Sequence, residues 1–157
     1  MNLISLGIDE IRKDQFEVVK NSRRSNKPKG GLWTSPIDSK YGWYDFVVGE
    51  QFRCDYYLNK MVLITLKPDA KILKISNAFD FDCCPYIKEN LILGHDIFSK
   101  FRRIDFETLS MFYDGIWITL EAMEDLEERH KYVMGDLYGW DVETVLLFNL
   151  DCIESYA

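Results

Sequence analysis

The sequence predicts a single α+β domain, spanning residues 1–157, whose sheet is mixed or mainly antiparallel. Short apolar segments with strand character interleave irregularly with helical segments, without the strict strand–helix–strand repetition of a parallel α/β fold. The chain of 157 residues has the length of one domain, and its content of 47% hydrophobic and 29% charged residues is typical of a globular protein. No repeat, low-complexity segment or Pro/Gly linker divides it, so one domain is expected.

The strands are predicted from apolar runs and from the turn residues that end them. A turn at Lys67–Ala70 joins two of the clearest ones, so a hairpin or another tight connection is expected between them. The predicted strands are 2–6, Gly31–Ser35, Lys60–Leu66, Lys71–Ile75, Gly115–Thr119 and Glu143–Phe148, with a weak candidate at Phe16–Lys20.

Three helices are predicted from capping residues and apolar periodicity. The first covers Lys40–Phe52 after a cap at Asp38 or Ser39, and the second covers Phe106–Phe112 after a cap at Asp105. The third follows Thr119, and between the first two helices the segment 77–100 is expected to be mostly loop with short helical turns. One face of the third helix carries Leu120, Met123, Leu126, His130 and Val133.

The net charge of −7 argues against non-specific binding to nucleic acid or to an anionic membrane. A local exception is the basic run Lys20–Lys29, which is either a solvated loop or an anion-contacting segment. The chain has no membrane-spanning apolar run, and its start lacks the features of a secretory signal. We therefore expect a cytoplasmic protein with reduced thiols. Two distant histidines, His95 and His130, and no CxxC motif predict no structural zinc site.

Two acidic residues before the last strand are the strongest candidates for chemistry. Asp141 and Glu143 lie two positions apart, so in a strand both carboxylates would share one surface. A fixed carboxylate beside a ribose stabilises the oxocarbenium-like transition state of glycosidic bond cleavage. The alternative is that both acids only close the turn that precedes the strand.

Hydroxyls and glycines form a second candidate group. Thr34 and Ser35 end a predicted strand, where their hydroxyls would orient a neighbouring carboxylate or only bond to solvent. Gly30 and Gly31 allow either close approach to a ligand or a turn with positive φ. Tyr41 is the better candidate for stacking on a planar ring, because Trp43 belongs to an apolar stripe.

Four segments resemble small phage and prophage proteins of the mono-ADP-ribosyltransferase-like type. They are Lys27–Pro36, Tyr41–Trp43, Tyr113–Gly115 and Trp140–Asn149, and the resemblance covers residues 26–52 and 105–153. It implies a split mixed sheet with an NAD cleft between its halves, and NAD as the substrate of ADP-ribosyl transfer. The acceptor would be a host protein or nucleic acid in the bacterial cytoplasm.

The resemblance also implies roles for individual residues. Glu143 would be the catalytic glutamate and Asp141 the first acid of an acid-x-glutamate motif. Thr34 and Ser35 would match the hydroxyl motif of the second core strand, and Tyr41 the aromatic residue near the nicotinamide. The expected NAD-binding set is Arg24, Lys27, Gly30, Gly31, Trp33, Thr34, Ser35 and Tyr41.

The sequence departs from this pattern at its first strand. Such enzymes usually present a His or Arg there, and the segment Leu3–Gly7 has neither. Two other functions therefore stay open: a non-catalytic phage inhibitor that binds a host defence complex, and an NAD glycohydrolase that uses water as the acceptor.

Overall fold

A computed structural model of the chain describes residues 1–23, 25–88, 102–129, 136–137 and 139–157. Within these ranges it contains a short 3-10 turn at Lys13–Gln15, nine strands and five α-helices. The strands are β1 Asn2–Leu6, β2 Leu32–Pro36, β3 Met61–Leu66, β4 Ile72–Ile75, β5 Ile87–Lys88, β6 Arg103–Ile104, β7 Gly115–Ile118, β8 Thr144–Leu147 and β9 Ile153–Tyr156. The helices are α1 Trp43–Gly49, α2 Cys54–Tyr57, α3 Ala78–Cys83, α4 Phe106–Leu109 and α5 Leu120–Arg129.

Seven strands form one mixed sheet in the order β4-β7-β8-β2-β1-β3-β9. The pair β4–β7 is parallel and the other neighbours are antiparallel. β5 and β6 make a separate two-stranded ladder. The predicted α+β class and the mixed, mainly antiparallel sheet are confirmed.

The two halves of the sheet meet along β2, which uses different residues for its two neighbours. Its first three residues pair with β8, with Thr34 opposite Val145. Only its end pairs with β1, with Ser35 opposite Ile4. Beyond that short ladder the hydroxyl of Ser5 donates a hydrogen bond of 3.0 Å to the Trp33 carbonyl. The junction between the halves is therefore short.

The connection from β3 to β4 shows that the sheet curls. Of the two predicted alternatives, the tight connection is observed and the hairpin is not: the strands lie five strand spacings apart in the sheet order, which a flat sheet would place roughly 24 Å apart. The short segment that joins them includes a turn in which Ala70 N–H donates to the Lys67 carbonyl at 3.2 Å. A tight turn cannot bridge a flat sheet, so the two edges curve toward each other.

Curling encloses an inner core between the halves, and the helices cover the other face. Alternate residues of β8 enter the two cores, because strand side chains point to opposite faces. Val145 and Leu147 lie in the inner core, whereas Leu146 and Phe148 lie in the helix-side core. The inner core consists of Leu3, Val62, Ile64, Leu66, Val145, Leu147 and Cys152, and the helix-side core includes Ile75, Phe81, Ile104, Phe106, Leu109, Ile116, Leu126, Trp140, Leu146 and Phe148.

Helix α1 is shorter than the sequence predicts. The predicted range Lys40–Phe52 is corrected to Trp43–Gly49, with Gly42 as the N-cap. Ser39 closes a turn by donating its N–H to the Pro36 carbonyl at 3.3 Å, so the chain is not yet helical there. The Asp45 carboxylate accepts from the Gly42 N–H at 2.8 Å, which stabilises the helix start.

Other predicted elements are confirmed with small changes. Asp105 caps α4 by accepting from Thr108 N–H at 3.1 Å, and α3 begins inside the segment predicted as mostly loop. The weak strand Phe16–Lys20 is wrong, because only Lys20 pairs, as an isolated bridge with Lys29. His130 and Val133 of the third predicted helix lie outside the described residues.

Candidate functional site

Glu143 lies immediately before β8. Its side chain is on the side of Val145 and Trp117, because the Trp117 indole N–H donates to its Oε1 at 2.8 Å. Trp117 is opposite Val145 in the β7–β8 ladder, so both side chains share the inner face. Glu143 is buried there, with 7% exposure.

The main chain of Glu143 is held from two sides by the segments that the sequence singles out. Its N–H donates to the Tyr41 carbonyl at 3.0 Å, and its carbonyl accepts from the Ser35 hydroxyl at 2.7 Å. The same hydroxyl accepts from the Trp43 N–H at 3.0 Å, which ties the start of α1 to this point. The fold thus brings Ser35, Tyr41 and Glu143 together across a large sequence separation.

The two predicted hydroxyls act on the main chain and not on the Glu143 carboxylate. Thr34 and Ser35 are both fully buried, with 0% exposure. The Thr34 hydroxyl donates to the Val145 carbonyl at 2.6 Å, which fastens β2 to β8 next to the Glu143 position. Their role is to fix the strand that carries Glu143.

The surroundings of Glu143 disfavour its charged form. Burial raises the pKa of the carboxyl above its usual range, the Trp117 hydrogen bond opposes this rise, and the charges of Glu121 and Asp38 add to it. Lys74 opposes the rise with its positive charge. Its Nζ lies 3.9 Å from the centroid of the Trp117 ring. A carboxyl whose pKa is raised by burial and by specific neighbouring charges is a candidate functional group.

Asp141 is placed differently from Glu143. Strand β8 begins at Thr144, so the alternation argument does not extend back to Asp141. Asp141 is exposed, whereas Val142 and Glu143 are buried. The structure does not place the two carboxylates together on one strand surface, and Asp141 is exposed to solvent.

The basic loop lies on the other face of the sheet. Lys27 Nζ donates to the Gly139 carbonyl at 3.1 Å and lies 5.7 Å from the Trp33 ring centroid. Trp33 packs on Trp140, with ring centroids 5.1 Å apart. Because Trp33 is opposite Leu146 of the helix-side core, it faces away from Glu143. Arg24 lies outside the described residues.

Gly30 and Gly31 serve a turn that packs against the protein's own chain. Their φ angles are +69° and +71°, in the left-handed region that favours glycine. A Cβ at Gly30 would lie 2.4 Å from the Val18 carbonyl oxygen, and one at Gly31 would lie 2.7 Å from Leu146 Cδ1. Of the two interpretations offered by the sequence, the turn with positive φ is the one observed.

Replacing Gly30 by alanine is therefore expected to destabilise the fold. The positive φ and the contact with a backbone oxygen together should lower the free energy of unfolding by about 2 kcal/mol or more. Thermal unfolding followed by circular dichroism measures this, with Gly49→Ala as the control, since a Cβ there meets nothing within 4 Å. Equal melting temperatures for the two variants would contradict the packing role of Gly30.

Sequence reasoning missed the side chains that surround the Glu143 carboxylate. Trp117 and Lys74 lie in predicted strands, but which strands become neighbours was not evident from their sequences. The sequence predicts only a helix cap at Asp38, and no local pattern indicates that Glu121 lies near Glu143. Lys40 pairs with Glu121 at 3.5 Å, both side chains being exposed.

Comparison with known proteins gives no match: no protein-family model, no curated protein and no solved structure is significantly similar to this chain. Within the described ranges, no helix is long and apolar enough to cross a membrane. No three His, Cys, Asp or Glu side chains of those ranges are grouped so that they could hold a metal ion. His95 and His130 lie outside them.

Proposed function

We propose that this protein transfers ADP-ribose from NAD to a macromolecular acceptor, with Glu143 as the catalytic carboxylate. The observation that carries the proposal is the contact between two motifs far apart in sequence: the Ser35 hydroxyl donates to the Glu143 carbonyl at 2.7 Å. β2, which contains Thr34 and Ser35, is the direct neighbour of β8, which follows Glu143. This adjacency and the short junction along β2 support an ADP-ribosyltransferase-like split sheet.

The chemistry uses a carboxylate fixed beside the ribose. The bond between ribose C1′ and the nicotinamide nitrogen breaks, and its electron pair leaves with neutral nicotinamide. The positive charge that develops on the ribose is stabilised by ionised Glu143. The acceptor then forms a bond to C1′ and loses a proton, for which we propose the exposed Asp141 as the base.

The same geometry supports Tyr41 as a residue of the NAD site. Its carbonyl accepts from the Glu143 N–H at 3.0 Å, so its side chain starts next to the catalytic position. The residue is half-buried, so part of its surface is accessible. We propose that its ring contacts the nicotinamide ring. The proposed setting is the cytoplasm of a bacterial host, with the protein encoded by a phage.

The proposal is tested by measuring NAD turnover in bacterial lysate. Intact-mass analysis then detects modified proteins, and a label that nuclease removes identifies modified nucleic acid. Nicotinamide release together with a labelled macromolecule is the expected result. Release of free ADP-ribose without any labelled macromolecule would identify an NAD glycohydrolase instead. If the lysate shows neither nicotinamide release nor a labelled macromolecule, both enzymatic functions are contradicted.

A second candidate is a non-catalytic inhibitor that binds a host defence complex through the same scaffold. Two observations favour it: β1 carries no His or Arg, and Glu143 retains only 7% exposure. In β1 the buried Ser5 bonds to the Trp33 carbonyl and offers no charge for a pyrophosphate. A tight complex with a host protein that survives Glu143→Gln, without any NAD turnover, would support this candidate.

A further inference from the structure

We propose that Trp117 is the positioning residue of Glu143, and that Lys74 holds the Trp117 ring so that its N–H fixes one carboxylate oxygen and leaves the other for the substrate. The catalytic part of this inference rests on the proposed ADP-ribosyl transfer. Its structural part, the orientation of Glu143, stands on the geometry of three adjacent strands and is measurable without any activity.

The first step is the register of these strands. Lys74 of β4 is opposite Trp117 of β7, and Trp117 is opposite Val145 of β8. Directly opposed residues project to the same face of a sheet, so Lys74 and Trp117 lie on the inner face with Val145. Glu143 lies two residues before Val145 and is therefore diagonal to Trp117 across the two strands. The long indole side chain of Trp117 can reach this diagonal position. The order Lys74, Trp117, Glu143 thus follows from the sheet topology.

The second step is the kind of bond that the indole makes. The Trp117 N–H is a neutral donor, and it reaches Oε1 of Glu143 at 2.8 Å. An Arg or Lys at this place would neutralise the carboxylate and weaken its ability to stabilise a cation. A neutral donor orients the carboxylate and keeps its charge. Among the described residues, Oε2 of Glu143 accepts no hydrogen bond, so it is the oxygen available to a ribose.

The third step is the cation on the ring. Lys74 Nζ lies 3.9 Å from the Trp117 ring centroid, within the range of a cation–π contact. A cation on the face of the ring restrains its rotation and withdraws electron density from it. The indole N–H then becomes a stronger donor to Glu143.

Other charged groups surround this series, and the test takes them into account. Asp38, from the turn after β2, and Glu121, from α5, repel the ionised form of Glu143. Lys40 pairs with Glu121 and offsets part of that repulsion. Trp117 and Lys74 are the groups that favour the ionised form. Removing either side chain is therefore expected to raise the pKa of Glu143.

The experiment is a carbon-13 NMR titration of the Glu143 side-chain carboxyl in Trp117→Phe, which retains an aromatic ring and deletes the N–H donor. The signal is assigned with Glu143→Gln. The Glu143 pKa should rise by about one unit in Trp117→Phe, and by less in Lys74→Met. The controls are Tyr156→Phe, which deletes a hydroxyl that donates to the Ile11 carbonyl and not to Glu143, and Lys71→Met, beside β4; both should leave the Glu143 pKa unchanged.

NAD turnover adds a second readout. Trp117→Phe should lower kcat roughly ten-fold at constant KM and move the acid limb of the pH profile to higher pH. Because Lys74 is exposed, the Lys74→Met variant should fold. It therefore still tests the effect on the Glu143 pKa if the Trp117→Phe variant does not fold. An unchanged Glu143 pKa in both variants would overturn the inference. If wild-type protein shows no NAD turnover, the proposed function fails, while the titration still decides the positioning role.

Discussion

Replacing Glu143 by glutamine is expected to lower NAD turnover by at least roughly 100-fold, the loss usually seen when a preorganised electrostatic contact to the transition state is removed. Glutamine retains the size of the side chain, and its amide oxygen can still accept from the Trp117 N–H at the position where Oε1 now does so. Only the charge is lost. The measurement is the initial rate of nicotinamide release at saturating NAD.

The stability of this variant separates loss of catalysis from loss of fold. Because the folded-state pKa of Glu143 is raised, the folded protein loses stability as pH rises from the ordinary glutamate pKa through the raised value. Glutamine has no such titration, so at neutral pH Glu143→Gln should melt at the same temperature as wild type or higher. Glu154→Gln, an exposed change on β9, is the matched control and should retain full turnover. Wild-type rates in Glu143→Gln would contradict the catalytic role.

Replacing Asn26 by alanine is expected to cause a large loss of stability. The Asn26 side chain is buried, and its Nδ2 donates to the carbonyls of Arg102 and Asp136, both at 2.6 Å. Its Oδ1 accepts from the Ile104 N–H at 2.8 Å. Alanine leaves these three main-chain groups without their partner in a buried place. We expect the free energy of unfolding to fall by about 3 kcal/mol or more.

For a chain of this size, that loss corresponds to a melting temperature roughly 6–12 °C lower. Thermal and urea unfolding measure it. Asn59→Ala is the matched control, because the Asn59 amide donates to the Asp55 carbonyl at 2.7 Å but is exposed. That control should change stability by less than about 0.5 kcal/mol. Equal stabilities of the two variants would show that Asn26 does not fasten the basic loop to β6.

The sequence predicts local structure here better than it predicts strand neighbours. The caps and strand bounds depend on nearby residues, as at Asp105, whose carboxylate accepts from Thr108 N–H three positions later. The neighbours of β4 depend on the whole sheet. The sequence predicts a hairpin or another tight connection between β3 and β4, and only the tight connection is found, because curling brings the edges of the sheet together and a short turn joins strands that do not pair. No local pattern encodes that curvature.

The difficulty of predicting which strands become neighbours also explains which residues of the candidate site were predicted. Ser35, Tyr41 and Glu143 were each named from the sequence, and the fold brings them together. The expected NAD contacts of Lys27 and Trp33 depended on sequence proximity to Ser35. Alternation along β2 instead turns Trp33 to the helix-side core. Trp117 and Lys74 reach Glu143 only through strand pairing, a contact that no local pattern of residues predicts.

The most direct measurement is the response of the four tryptophan indole signals to NAD, recorded by proton–nitrogen NMR without lysate so that no acceptor is present. Trp117 contacts Glu143, whereas Trp33 and Trp140 pack against each other, with tilted rings, on the opposite face. If NAD binds at Glu143, the Trp117 indole signal shifts on titration while those of Trp33 and Trp140 stay in place. If millimolar NAD leaves the Trp117 signal unmoved, or shifts only Trp33 and Trp140, Glu143 does not mark an NAD site.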